Sequence, residues 1–70
     1  MIPAKIIEIS DKVMVEYWNL VGKLPAKRIA EVENVVFIGG IVFFKFANIC
    51  LNQQVFIELT ENGKCKIVKI

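Results

Sequence analysis

The chain offers few residues for covalent chemistry. Its 70 residues include no histidine, one serine (Ser10), one threonine (Thr60) and one aspartate (Asp11). A Ser-His-Asp or Cys-His arrangement cannot be built within such a chain. Acid–base catalysis and metal ligation by histidine are closed to it for the same reason. Cys50 and Cys65 stand fifteen apart and neither belongs to a CxxC pair, so a structural zinc site lacks its ligands. Gly39-Gly40 lacks the Gly-Lys-Ser/Thr pattern of a phosphate-binding loop and reads as a turn or a bulge. The six glutamates, at positions 8, 16, 31, 33, 58 and 61, mostly alternate with apolar neighbours, as solvent-facing strand residues do. We expect no catalytic residue, cofactor or metal, and no enzymatic activity.

Two constellations could bind instead. Trp18, Lys23, Lys27 and Arg28 bring an aromatic ring close to basic side chains, with Tyr17 alongside and a second group of Phe43, Phe44 and Phe46 around Lys45. Stacking platforms beside basic groups hold single-stranded nucleic acid without sequence readout. Against this, the net charge is only +2 and there is one arginine, a weak field for phosphate.

The second constellation is apolar. Eleven Ile, nine Val, four Leu, five Phe, two Met, one Trp and one Tyr make 33 large apolar residues in 70. A chain this short buries only about 60% of its unfolded surface. Part of this apolar surplus should form an exposed patch, and such patches mark interfaces. The expectation is a non-catalytic interaction or assembly module, acting as a homo-oligomer or within a larger complex. A dimer is the default, since two-fold pairs are the commonest closed assemblies. Single-stranded nucleic-acid binding is the alternative.

The elements that would carry these residues are strands. Ile, Val and Thr total 21 residues, whereas Ala and Leu total eight. β-branched side chains suit a pleated surface and lose rotamer freedom in a helix. Near the C-terminus, Asn62-Gly63 is a type I′ turn signal between two alternating runs. A two-residue turn sets Glu61 opposite Lys64, Ile57 opposite Val68 and Val55 opposite Ile70. Its apolar face is then Val55, Ile57, Leu59, Val68 and Ile70. Ser10-Asp11-Lys12 should join a second hairpin over residues 4–20, pairing Ile9 with Val13 and Ile7 with Val15, and placing Lys5 beside Tyr17. Residues 25–32 fit either a short helix begun by Pro25 or an irregular strand, with strand favoured because two helical turns are marginal alone. Lys64, Lys66 and Lys69 on the last strand would discourage edge-to-edge pairing.

The centre, Val35 to Phe46, is apolar on both faces. Gly39-Gly40 either turns it into a hairpin, pairing Ile38 with Ile41, Phe37 with Val42 and Val36 with Phe43, or bends one long strand. A 70-residue domain has one core face to offer, so the second face should meet another subunit. We place Val36, Ile38, Ile41 and Phe43 inside, and Val35, Phe37, Val42, Phe44 and Phe46 at the oligomer interface, with the two faces interchangeable on pattern alone.

The fold expected is therefore one all-β domain over 1–70, with at most one short helix. It is a small five-stranded SH3-like or OB-like barrel, or an open sheet completed by a second subunit. Val35 to Leu51 is too short, and too interrupted by Lys45 and Asn48, for a membrane span. With no leader pattern at the N-terminus, a cytoplasmic protein with two reduced, buried thiols is expected, a disulfide being the alternative. Residues Ile2 to Val15, opening Ile2-Pro3-Ala4-Lys5-Ile6-Ile7-Glu8-Ile9, resemble the start of the small OB-fold chaperones of hydrogenase maturation. The likeness spans under a quarter of the chain. Ile2 stands where that family has a functional cysteine, and no later histidine follows, so it implies generic β-barrel patterning and no activity.

Overall fold

The computed structural model describes residues 1–21 and 24–70. Eight strands account for most of them: β1 Ile2–Ile9, β2 Val13–Val21, β3 Leu24–Val32, β4 Val36–Ile38, β5 Ile41–Phe44, β6 Ala47–Asn48, β7 Gln54–Glu61 and β8 Lys64–Lys69. There is no helix among the described residues, so 25–32 is strand. Five strands close into a barrel in the order β1-β2-β3-β8-β7, β7 returning to β1. The barrel needs no second subunit to close. The other three strands form a separate sheet, β4-β5-β6, inserted between β3 and β7.

Both terminal hairpins form where expected, but at Asn62-Gly63 only Gly63 is left-handed (φ 78°), so the turn is not the type I′ expected, and both registers differ from a plain alternating ladder. In the first, Ile9 faces Val13 as expected, then Ile7 bulges out and Ile6 faces Val15. Lys5 consequently lies opposite Glu16, and Ala4 opposite Tyr17. In the second, Glu61 faces Lys64, but the ladder slips at Thr60 and again at Val68, so Leu59 faces Cys65 and Ile57 faces Ile67. Cys65 and Ile67 therefore enter the core in place of Val68 and Ile70, and Leu59 turns outward. The physical reason is closure. Five strands can wrap only if some of them bend sharply, and bulges supply the bend and extra twist.

The core is wholly apolar. Ile6, Val13, Val15, Val55, Ile57 and Cys65 are shut off from solvent, and Val42, Phe44 and Ile49 of the inserted segment join the same cluster. No charged or polar side chain is buried among the described residues. Of the two thiols, Cys65 is buried as expected, whereas Cys50 is exposed; neither is in a disulfide. Burial, with Glu33 adding its negative charge, pushes the Cys65 thiol up to about 11.

The seam between β3 and β8 is short. The two run parallel and pair only at Glu31–Lys64 and Val32–Cys65. Beyond it, the side chain of Asn34 acts as a further strand residue. Its Nδ2 donates to the Ile67 carbonyl and its Oδ1 accepts from the Ile67 amide, both at 2.8 Å. One residue thus satisfies backbone groups that the missing strand leaves bare. On the return, the Ile6 amide donates to the Gln53 carbonyl (2.9 Å) and the Asn52 amide to the Ile6 carbonyl (2.8 Å). These two anchors hold both ends of the insertion against the barrel.

Candidate interaction surface

The insertion is a glycine-turned hairpin with one added short strand. Gly39 and Gly40 have φ of 58° and 80°, the left-handed pair that a type I′ turn requires. Ile38 then faces Ile41, Phe37 faces Val42 and Val36 faces Phe43, in the hairpin register expected. Lys45, at φ 55°, turns the chain again so that Phe44 faces Ala47.

Directly opposed residues share a sheet face. Val36, Phe43, Ile38 and Ile41 make one face, and Phe37, Val42, Phe44 and Ala47 the other. The chain turns the second of these inward. Val42 and Phe44 lie in the core and Val35 is half-buried, whereas Phe37 and Ala47, at the two edges of this face, are exposed. The face assignment made from pattern is overturned for Val42 and Phe44, which are inside, and for Val36, Ile38 and Ile41, which face solvent; Phe37 and Phe46, placed with the outer set, are exposed. Pattern alone could not choose, because both faces are apolar. What distinguishes them is the barrel core, against which Val42 and Phe44 pack.

Phe46 belongs to neither face. It sits in the turn between β5 and β6 and is completely exposed (101%). With Val36, Ile38, Phe43 and Lys45 it borders an open cleft of about 310 Å³. The ammonium of Lys45 lies 5.3 Å from the centre of the Phe44 ring, a cation–π distance. Ile38 is 62% exposed and Val36 55%. Isolated exposed apolar residues are ordinary; Val36, Ile38, Ile41 and Phe46, four on one sheet face and its adjoining turn, form a patch.

The basic and aromatic residues of the other candidate site divide between two faces. Trp18 and Lys27 are paired across β2 and β3, with the Lys27 Nζ 5.3 Å from the Trp18 ring centre. Trp18 is 61% exposed and borders a cleft of about 330 Å³ with Pro3, Lys5, Glu16 and Gln54. Glu16 sits between two ammonium groups, 3.7 Å from Lys5 and 3.9 Å from Lys27, and offsets part of their charge. Arg28 is opposite Tyr17, on the other side of the ribbon, and borders a separate cleft of about 450 Å³ near the Asn62-Gly63 turn. Lys23 lies outside the described residues.

No group of three or more potential metal ligands occurs among the described residues. Among the described residues there is no helix long and apolar enough to cross a membrane. The residue that sequence reasoning missed is Asn34, whose bidentate role depends on a partner 33 positions away. No family model, curated protein or solved structure matches the chain.

Proposed function

We propose that this protein is a non-catalytic assembly module, a homo-oligomer or a subunit of a larger complex, that associates through the outer face of its inserted sheet. The observation that carries this reading is the row Val36, Ile38 and Ile41 standing open beside a fully exposed Phe46. Leaving such a surface in water is unfavourable by about 25 cal/mol per Å² of apolar area. Local folding does not require it, since a hairpin turns equally well with polar residues on its outer face. The free thiols support a reducing, cytoplasmic setting. We further read the barrel as OB-like: five strands, Greek-key order and a short, partly open seam fit that architecture.

The test is the size of the chain in extracts of its host. The wild type should run well above its own 8.0 kDa, and Ile38→Glu with Ile41→Glu should return it to the monomer position. A wild type running free as a monomer would remove the reading.

A second reading is single-stranded nucleic-acid binding on β2 and β3, the face that OB folds use. The exposed Trp18 ring with Lys27 beside it favours this. Trp18 is the only tryptophan, so its fluorescence reports directly on a stacked base. Quenching by an oligonucleotide that weakens steeply with salt would support the reading. Unchanged fluorescence at low salt would end it.

A further inference from the structure

We infer that the outer face of the inserted sheet is covered by a second copy of the same chain, related by a two-fold axis, with Phe46 of each copy seated in the cleft of the other. This rests on the assembly reading above and names its partner.

Three features of the face point to a copy of itself. The first is shape. A two-fold contact uses one patch on both sides, so it must carry its own projection and its own recess. This patch does: Phe46 projects freely and forms one wall of a cleft of about 310 Å³ whose other walls are Val36, Ile38, Phe43 and Lys45. The recess is large enough for one aromatic ring. A partner of different shape would need the recess or the projection, but has no reason to find both adjacent.

The second is charge. A two-fold axis sets each group near its own copy, so a charged face repels itself. The outer row Val36, Ile38, Ile41 and Phe43 carries no charge. The one nearby cation, Lys45, borders the cleft with its ammonium 5.3 Å from the centre of the Phe44 ring, a position from which it can also meet the face of a seated aromatic ring. Nothing on the face calls for an oppositely charged partner.

The third is area. A standard interface takes about 800 Å² from each partner. One aromatic side chain supplies roughly 150–250 Å², and Phe46 offers its whole surface. Val36, Ile38, Ile41 and the half-buried Phe43 extend it into an apolar centre, with Lys45 and Asn48 at its border. A small dimer is within reach of this patch alone.

Sedimentation equilibrium of the purified chain tests the inference. A reversible monomer–dimer system is expected, with the dimer at twice 8.0 kDa. Phe46→Ser acts at two equivalent places and should raise the dissociation constant at least roughly a hundredfold, with the circular dichroism unchanged. Ile38→Ser serves as the second variant. In a Cys50→Ser background, Val36→Cys chains mixed with Phe46→Cys chains should form a disulfide-linked mixed pair faster than either does alone. Failure of that mixed pair, with the dimer otherwise intact, overturns the reciprocal seating. A wild type that stays monomeric at high micromolar concentration overturns the second copy as partner, while a large complex in host extracts would still uphold the assembly reading. A dimer indifferent to both serine variants overturns inference and reading together, since assembly then uses another surface. A monomer that co-sediments with phosphatidylcholine vesicles gives the face to lipid and also overturns both.

Discussion

In the barrel, each strand sends alternate side chains inward to meet those of the strands across it, so Ile6, Val15, Val55 and Ile57 cover one another completely. In the inserted sheet, Val42 and Phe44 find the same shelter, but Val36, Ile38 and Ile41, on the same strands, remain open. The residue types are alike. What differs is that a closed sheet has an inside, whereas a three-stranded open sheet has two faces and only one neighbour within the chain. Apolar residues of the barrel's inner face are thus all covered, whereas those of the inserted sheet are covered on one face and open on the other.

The contrast can be broken most directly by truncating one isoleucine in each region. Ile57→Ala should cost about 2–5 kcal/mol of stability, the transfer loss plus the cavity left behind. That is a large share of what a small domain possesses. Ile41→Ala should change monomer stability by no more than about 0.5 kcal/mol while weakening self-association. Urea denaturation of both variants at low concentration checks this. Equal losses would mean that the outer face is part of the folding core.

The join between the regions comes next. Asn34→Ala leaves the Ile67 amide and carbonyl without partners and should cost about 1–3 kcal/mol. Amide exchange at Ile67 should quicken well before that of Val15, which lies away from the seam. If Ile67 keeps its protection, the asparagine is not what closes the seam.

The buried thiol sharpens the comparison by pH. The folded Cys65 holds its proton up to about 11, against an ordinary value of 9.0. Between those values the unfolded chain loses the proton and the folded chain keeps it. Stability that is present in full below pH 9 is therefore lost as pH rises toward 11, by at most roughly 1.4 kcal/mol per pH unit. Cys65→Ala should show a shallower decline over that interval than the wild type. Cys50, exposed in the connector, should react with a thiol reagent in the native state, and Cys65 only on unfolding.

The smallest effect belongs to the exposed ion pairs on the barrel's outer surface. Lys27→Ala removes one of two ammonium groups from Glu16 and should alter stability by less than about 1 kcal/mol, because surface pairs are screened by water. A larger loss would mean that the Trp18–Lys27 contact stiffens the ribbon of β2 and β3.

Turns and local periodicity were readable directly. Asn62-Gly63 and Gly39-Gly40 carry their conformational preference in the residues themselves, so the hairpins around them could be placed in the sequence. The three residues of Ser10-Asp11-Lys12 likewise set Ile9 against Val13. The bulges at Ile7, Thr60 and Val68 were not readable, because nothing in those side chains differs from their neighbours. Their cause is the curvature of a barrel that local sequence does not encode. The candidate surface was legible as a segment, Val35 to Phe46, and as two sets of alternating residues. Its orientation was not.

By itself, then, the sequence determined an all-β chain, the positions of its tight turns, a surplus of apolar residues beyond one core, and the lack of histidine-based chemistry. These follow from composition and from interactions spanning a few residues. Tertiary structure alone decided which strands close the barrel, where the ladders slip, and that Val42 and Phe44 turn inward while Ile38 and Ile41 turn out. Those outcomes depend on contacts between residues far apart in the chain, such as Asn34 with Ile67 and Ile6 with Asn52. A period-two pattern has no term that distinguishes one apolar face from the other; only the neighbour that arrives to cover it does.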